Sequence, residues 1–300
     1  MPPTTTGTTT PHPATTPPQA DQLVLYVLQL INADRAQYSL DPVILGTNPA
    51  AQIHAQDMFD NYFLSHWGTD GMKPYMRYTV GGGTNYEEEN SAYSGWYDPS
   101  TDPNRYVKID PKEELKQLEY NMMYDDAESN WGHRDNILNK RHKKVNIGIA
   151  YDIHRLTLVE EFEGDYVDFA GLPALTGGTL TMSGNTSLGA VDSVDVFYDP
   201  LPQPMTQAEL LAGPRSYSLG TRVTTIVPPP PPGYYYTQLP PNAVQATFWT
   251  VTDTGQFSIQ ADIKTVIDQN GPGVYTVVVW SKAGTDSVML TNYSLWVRSL

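Results

Sequence analysis

The sequence contains no cysteine. Disulfides, thiolate nucleophiles and cysteine-based zinc sites are therefore excluded. It also has no apolar run that approaches the roughly 20 residues of a membrane-spanning helix, so we expect no membrane span. A leader pattern is absent as well, and Met1-Pro2-Pro3-Thr4 is typical of a start codon placed after a removed leader.

Basic residues are scarce: 18 Lys and Arg stand against 33 Asp and Glu, a net charge of −15. Such a polyanion is repelled by phosphate backbones, which argues against a nucleic-acid partner. Hydrophobic residues make up 40% of the chain, enough to bury a core. Most acidic residues and five of the six histidines lie in residues 21–170, although a solvated helical surface explains the same distribution.

Residues 1–20 are Thr/Pro-rich and carry no side chains that could pack a core. Segments of this kind form extended arms or linkers and often tether a domain to a cell surface. A disordered remnant without function is the alternative.

Residues 21–170 show helical periodicity followed by strands. A helix is predicted around Leu23–Ile31, a second after Asn48-Pro49, and a third after Asp110-Pro111 with Asp110 as its N-cap. Val145–Tyr151 and Arg155–Glu163 flank a turn and predict a β-hairpin. Helices that precede an antiparallel pair indicate an α+β layered domain.

Residues 171–300 change character to short alternating segments separated by Pro, Gly, Asn and Asp. This spacing predicts an all-β sandwich domain. We expect no helix longer than Met205–Leu211 in this region. The run Pro228–Pro232 cannot occupy a central strand and is placed in a surface loop.

Several short patterns in residues 21–170 combine residue types that carry chemistry. We expect Glu87–Asn90 to lie in a loop. The patterns, in chain order, are Asn32 with Arg35, Ala51 to Ala55, Ser65-His66, Pro74 with Arg77, Glu89-Asn90, Gly132 to Leu138, and Ile147-Gly148-Ile149.

In this order and spacing, the patterns resemble the CAP superfamily, which includes cysteine-rich secretory proteins, antigen 5, pathogenesis-related proteins and many prokaryotic SCP-like members. The resemblance covers about 150 residues, with the β-domain as an addition. It implies an α–β–α sandwich with an open cleft lined by two histidines and two acids. His66, His133 and Glu89 match that tetrad directly. The second acid departs from the family pattern, because Asp125 and Asp126 stand where many members carry Glu. We place Asp125 in the tetrad from its helical face and keep Asp126 as the alternative.

Such a tetrad permits two kinds of chemistry. His66 and His133 could bind zinc or another divalent cation, with a carboxylate that orients a ring. A His–carboxylate pair can also act as a general base on water. No Ser or Cys lies in a recognisable nucleophile motif. A buried hydrogen-bonded network that only organises the loops remains an alternative.

Aromatic residues suggest a groove for a sugar or lipid, although an aromatic core is the commoner use of such residues. His54, amid alanines, is predicted to be a packed core histidine. The aromatic candidates are Trp67, Trp96, Trp131, Tyr75 and Tyr93.

Three functions follow, and the sequence leaves open whether the protein is an enzyme. The first is an extracellular or cell-surface protein whose cleft takes a divalent metal and a small apolar or glycan ligand. The second is a metal-assisted or His/acid-assisted hydrolase, such as a peptidase. The third is a structural component of a surface assembly or filament that self-associates through the arm and the β-domain.

Overall fold

The structure is a computed structural model that describes residues 18–95 and 108–299. Residues 1–17 of the expected Thr/Pro arm, and Trp96, lie outside the described residues. Residues 18–20 begin a helix. No helix in the described part of the chain is long and apolar enough to cross a membrane.

The N-terminal region builds a four-stranded sheet between helices. Its sheet order is β1-β3-β4-β2, in which β3 and β4 form the predicted hairpin and β2 is an edge strand. The helices are α1 Pro18–Gln37, α2 Ala50–Asn61, α3 Pro74–Val80, α4 Pro111–Tyr124 and α5 Gly132–Ile137; the strands are β1 Ile44–Leu45, β2 Glu87–Ser94, β3 Lys144–Tyr151 and β4 Leu156–Glu163.

Two apolar layers cover the two faces of this sheet. One core joins α1 and α4 to the strands through residues such as Val27, Leu115 and Leu158. On the other face, α2 packs through Ala51, Ala55 and Met58. A Cβ at Gly148 of β3 would lie 2.1 Å from the carbonyl oxygen of Ala51, so glycine is what lets α2 approach the sheet. The expected α–β–α sandwich is confirmed.

The acidic segment Glu87–Asn90 is a strand, not the loop that its polarity predicted. It opens β2 and pairs antiparallel with β4 from Glu87↔Glu163 onward. Alternate residues of a strand point to opposite faces. Glu89 therefore faces the α2–α3 layer while Asn90 faces the α4–α5 layer, and the sheet edge brings the two layers together.

The C-terminal region is a sandwich of two sheets, with strand orders β10-β11-β6-β5 and β13-β12-β7-β8-β9. Its strands are β5 Val167–Thr176, β6 Thr179–Thr186, β7 Ala190–Asp199, β8 Thr221–Val227, β9 Val244–Gln245, β10 Phe248–Val251, β11 Gln256–Asp262, β12 Gly273–Ala283 and β13 Asp286–Val297; its helices are α6 Gln207–Ala212 and α7 Lys264–Asn270.

One apolar core lies between these two sheets, with Met182 and Ile259 from the first and Val196 and Val277 from the second. The mixed α+β class is therefore confirmed. Residues 228–232 lie outside any strand, and α6 occupies the expected helix position. Helix α7 was not predicted. The boundary expected at residue 170 falls inside β5, which already pairs with β6 from Val167.

The two regions are joined by backbone and side-chain hydrogen bonds along β13. Tyr86 N–H donates to the carbonyl of Leu290 at 2.9 Å, and Asn292 Nδ2 donates to the carbonyl of Glu87 at 3.0 Å. Thr291 Oγ1 donates to the carbonyl of Thr84 at 2.6 Å. The C-terminal sheet therefore approaches the segment that leads into the edge strand β2.

Candidate functional site

A cleft of 740 Å³ lies at the edge strand β2. His66, Glu89 and His133, which the sequence predicted to share one site, all border it. A smaller cavity of 100 Å³ also touches both histidines. The C-terminal region contributes the far wall through residues 215–219, which the sequence did not predict.

His66 is fixed by a buried ion pair behind it. Its Nδ1 lies 2.8 Å from Glu89 Oε1, and Arg77 Nη2 donates to Glu89 Oε2 at 2.7 Å. Arg77 Nη1 also donates to the carbonyls of His66 and Met72. Arg77 thus holds both the carboxylate and the backbone that carries the imidazole.

The electrostatics of this buried group favour an ionised Glu89. Burial would raise its pKa, but Arg77 and the neighbouring histidines outweigh burial and lower the pKa to about 2. His54 lies beside it, with Nε2 3.9 Å from Glu89 Oε1. Burial, and then the charge of Arg77, lowers the pKa of His54 to about 4. His54 is therefore neutral at pH 7 and donates Nε2–H to the carbonyl of Ser65 at 2.8 Å.

The imidazole of His133 pairs with the carboxylate of Asp126. Nδ1 of His133 lies 2.6 Å from Asp126 Oδ1, and the backbone N–H of His133 donates to Asp126 Oδ2. Asp125, which we placed in the tetrad, is exposed instead. It is the residue at which α4 ends, with φ −129° and ψ 42°. Because the helix ends there, counting helical positions along α4 does not identify Asp126, the acid that contacts His133.

The remaining motif residues hold the walls of the cleft. Asn90 Nδ2 donates to the carbonyl of His133 at 3.2 Å, and Asn136 Nδ2 donates to Asn90 Oδ1 at 2.9 Å. Arg35 Nη1 donates to the carbonyls of Ile137 and Asn139, just after α5. These side chains fix α5, which carries His133, against β2 and α1.

Two further acids are buried at the cleft: Glu87 borders it, and Glu161 lies next to Glu89 on the paired strand β4. The carboxylate oxygens of Glu87 and Glu161 have no hydrogen-bond partner among the described residues. Burial, followed by the charge of Glu161, raises the pKa of Glu87 well above its ordinary value. Burial, followed by the charge of Glu89, does the same to the pKa of Glu161. Burial and the neighbouring negative charges therefore favour the neutral form of both carboxyl groups.

Comparison with known proteins bears on the same residues. Residues 28–162 match the sequence model of the cysteine-rich secretory protein family, CAP. This part of the chain is a CAP domain. Among solved structures, the CAP domain of enterococcal PrgA is similar at 16% identity and a TM-score of 0.32, and the match covers 48% of this chain and 61% of that one. No curated protein matches the chain.

The donor atoms of the CAP cleft decide whether it fits a metal ion. Both imidazoles direct Nδ1 towards a carboxylate, as metal-binding histidines also do. That leaves two Nε2 atoms, whereas catalytic zinc sites have three protein ligands. Within residues 18–95 and 108–299, no group of three His, Asp or Glu side chains could hold a metal ion. The described residues therefore do not form a closed metal site.

Sequence reasoning missed the part of the CAP cleft that comes from the C-terminal region. Tyr217 packs its ring 4.8 Å from that of His66 and accepts a hydrogen bond at 2.8 Å from the backbone N–H of Glu89. Of the predicted groove aromatics, Tyr75 borders the cleft. No local pattern marks Tyr217, because its contacts are more than 120 residues away in the chain.

Proposed function

We propose that the CAP cleft binds a glycan, and that His66 and His133 contact it. The observation that carries the proposal is that two His–carboxylate pairs face one cleft. Each carboxylate engages Nδ1 of its ring and so leaves Nε2 to hydrogen-bond a ligand hydroxyl. No described residue hydrogen-bonds to either Nε2.

The lining combines hydroxyl and amide groups with apolar surface. It presents Ser129, Asn130 and Ser216, beside aromatic Tyr86. Sugar rings combine many hydroxyls with an apolar face, which suits such a mixture of polar and aromatic groups. Tyr75, Tyr217, Leu219 and Met289 add to the apolar part of the lining.

A binding experiment tests this proposal. Maltotetraose, cellotetraose and chitotetraose are titrated calorimetrically into the full chain, and the labelled protein is applied to an array of neutral and acidic oligosaccharides. We expect binding to at least one glycan and a loss of about fivefold in affinity for His133→Ala, because one hydrogen bond contributes about 1 kcal/mol. Glu113→Gln, on the exposed first turn of α4, is the control. Absence of binding throughout, or equal affinity for His133→Ala, contradicts the proposal.

Hydrolysis is the second candidate, supported by the His133–Asp126 pair at 2.6 Å. A base oriented in this way can take a proton from water. The glycans that bind, and casein as a peptide substrate, are incubated with wild type and with Asp126→Asn, and the products are followed by mass spectrometry. Turnover by wild type that Asp126→Asn lacks supports a hydrolase; binding without turnover supports the first proposal.

We also propose an extracellular or cell-surface location, in keeping with the CAP family. A divalent cation held by His66 and His133 stays a prediction, which zinc titration of wild type and His66→Ala tests. Self-association through the arm and the C-terminal region likewise stays a prediction, and light scattering of the full chain measures it.

A further inference from the structure

The connection between β7 and β8 is far longer than its strands require. The two strands pair antiparallel, with Tyr198 opposite Thr221, yet 21 residues separate Asp199 from Thr221. Hairpin loops usually have about 2–5 residues. We call residues 200–220 the crossing segment, because they leave the C-terminal sandwich and lie on the N-terminal region before they return.

The crossing segment is anchored on the CAP domain at several points. Leu210 of α6 is buried in the core of α2. Met205 N–H donates to the carbonyl of Thr69 at 2.8 Å, and Gln207 Nε2 donates to the carbonyl of Tyr62 at 2.7 Å. Thr206 and Glu209 form a capping box at the start of α6. These contacts hold the segment as an ordered part of the fold.

At its C-terminal end, the crossing segment lies between the two cavities of the site. Gly213 and Pro214 border the small cavity that touches both histidines, and Tyr217 borders the large one. Arg215 borders both. Lys73 Nζ donates to the carbonyl of Ser218 at 3.0 Å, which fixes the segment beyond Tyr217.

The charges of the lining single out Arg215. It is the one Lys or Arg among the described lining residues, and no ion pair or hydrogen bond of its side chain is found in the described part of the chain. Two of the acids around it have a nitrogen partner: Glu89 pairs with Arg77, and Glu88 lies 3.2 Å from the imidazole of His142. Glu87, which is buried, and Glu128, on the 3₁₀ turn, border the large cavity without a cationic partner among the described residues.

We propose that the crossing segment makes the cleft selective for sugars that carry a carboxylate, such as uronic acids, with Arg215 as the residue that contacts the carboxylate. A guanidinium presents paired donors that match a carboxylate, and Arg215 is exposed where both cavities meet beside the histidines. Glu128 borders only the large cavity and disfavours an anion there. This inference rests on the glycan proposal and names the ligand class of the same site.

The test compares acidic sugars with matched neutral ones. Trigalacturonate, trimannuronate and a hyaluronan tetrasaccharide are each titrated into the full chain beside their methyl esters, which keep every ring and lose only the charge. We expect wild type to bind at least one acid about tenfold more tightly than its ester, the usual value of a hydrogen bond between charged groups. Arg215→Gln removes this preference, and Glu128→Gln increases it.

A matched control removes the same charge elsewhere. Lys116 lies on the exposed face of α4, and Lys116→Gln keeps the wild-type preference. Equal binding of acids and esters by wild type, or an unchanged preference in Arg215→Gln, overturns this inference and leaves the glycan proposal standing. Absence of binding by all six sugars together with an empty glycan array overturns both.

Discussion

Replacing Arg77 by methionine removes the cation behind the cleft while it keeps an apolar stem of similar length. In the native protein Arg77 is buried and holds three acceptors: Glu89 Oε2 at 2.7 Å and the carbonyls of His66 and Met72 at 2.9 and 2.7 Å. In the variant the Glu89 carboxylate stays buried without a cation. Breaking a buried ion pair from one side costs about 3–5 kcal/mol.

The free energy of unfolding that Arg77→Met removes should decrease as the pH falls. Native Glu89 has a pKa lowered to about 2 from 4.5, so its contribution to stability is present above pH 4.5 and is lost as the pH falls towards 2. Without Arg77, burial raises the pKa of Glu89, and the carboxylate takes up a proton at mildly acidic pH. The difference between Arg77→Met and wild type is therefore large at pH 7 and smaller at pH 4.5.

Urea unfolding, followed by circular dichroism at pH 7 and pH 4.5, measures the difference. The control is Lys264→Met, which removes the exposed ion pair between Lys264 and Asp268 and costs about 0.5 kcal/mol or less. The double variant Arg77→Met/Glu89→Gln recovers part of the loss, because no charge stays buried. A loss below about 1 kcal/mol at pH 7, or the same loss at both pH values, refutes the reasoning.

Three further predictions concern single side chains. Tyr217→Phe leaves the buried N–H of Glu89 without its acceptor and lowers the free energy of unfolding by about 1–3 kcal/mol, measured by urea unfolding; no change shows that water replaces the hydroxyl. Glu161→Gln raises the melting temperature at pH 8 and not at pH 4.5. A carboxyl group whose pKa is raised in the folded state stabilises the fold below pH 4.5, and this stabilisation is lost as the pH rises. An equal change in melting temperature at both pH values contradicts the prediction. Asp126→Asn shifts the His133 ring resonances in NMR spectra, and Asp125→Asn does not; the reverse result would return Asp125 to the site.

The sequence predicted the elements of the N-terminal region well, because local signals specify them. Asp110 caps α4 as expected and accepts from Lys112 N–H and Glu113 N–H. Asp152 Oδ1 accepts from His154 N–H in the turn of the predicted hairpin. Both signals involve residues two or three positions apart, so composition and spacing suffice to recognise them.

Prediction failed where burial overrides polarity. The run Glu87-Glu88-Glu89 is typical of an exposed loop, but it forms an edge strand that β13 and the crossing segment cover. Asp126 was kept only as the alternative to Asp125 for a related reason: α4 ends at Asp125, and a turn aims the next acid at His133. The burial of residues 87–89 and the position of Asp126 both depend on tertiary contacts, which counting residues along a helix does not reveal.

The crossing segment and the His–carboxylate pairs form opposite walls of the cleft and come from different parts of the chain. The histidines and their acids lie on the CAP domain, while the wall opposite them is a connection between two strands of another sheet. Substitutions at Arg215 and Ser216 can therefore alter ligand preference during divergence while Tyr217 keeps its contacts with His66 and Glu89. For engineering, the same separation makes this connection the place to diversify. A fragment that ends before β5 would keep both His–carboxylate pairs, lose Arg215 and Tyr217, and expose Tyr75 and Met76 to water.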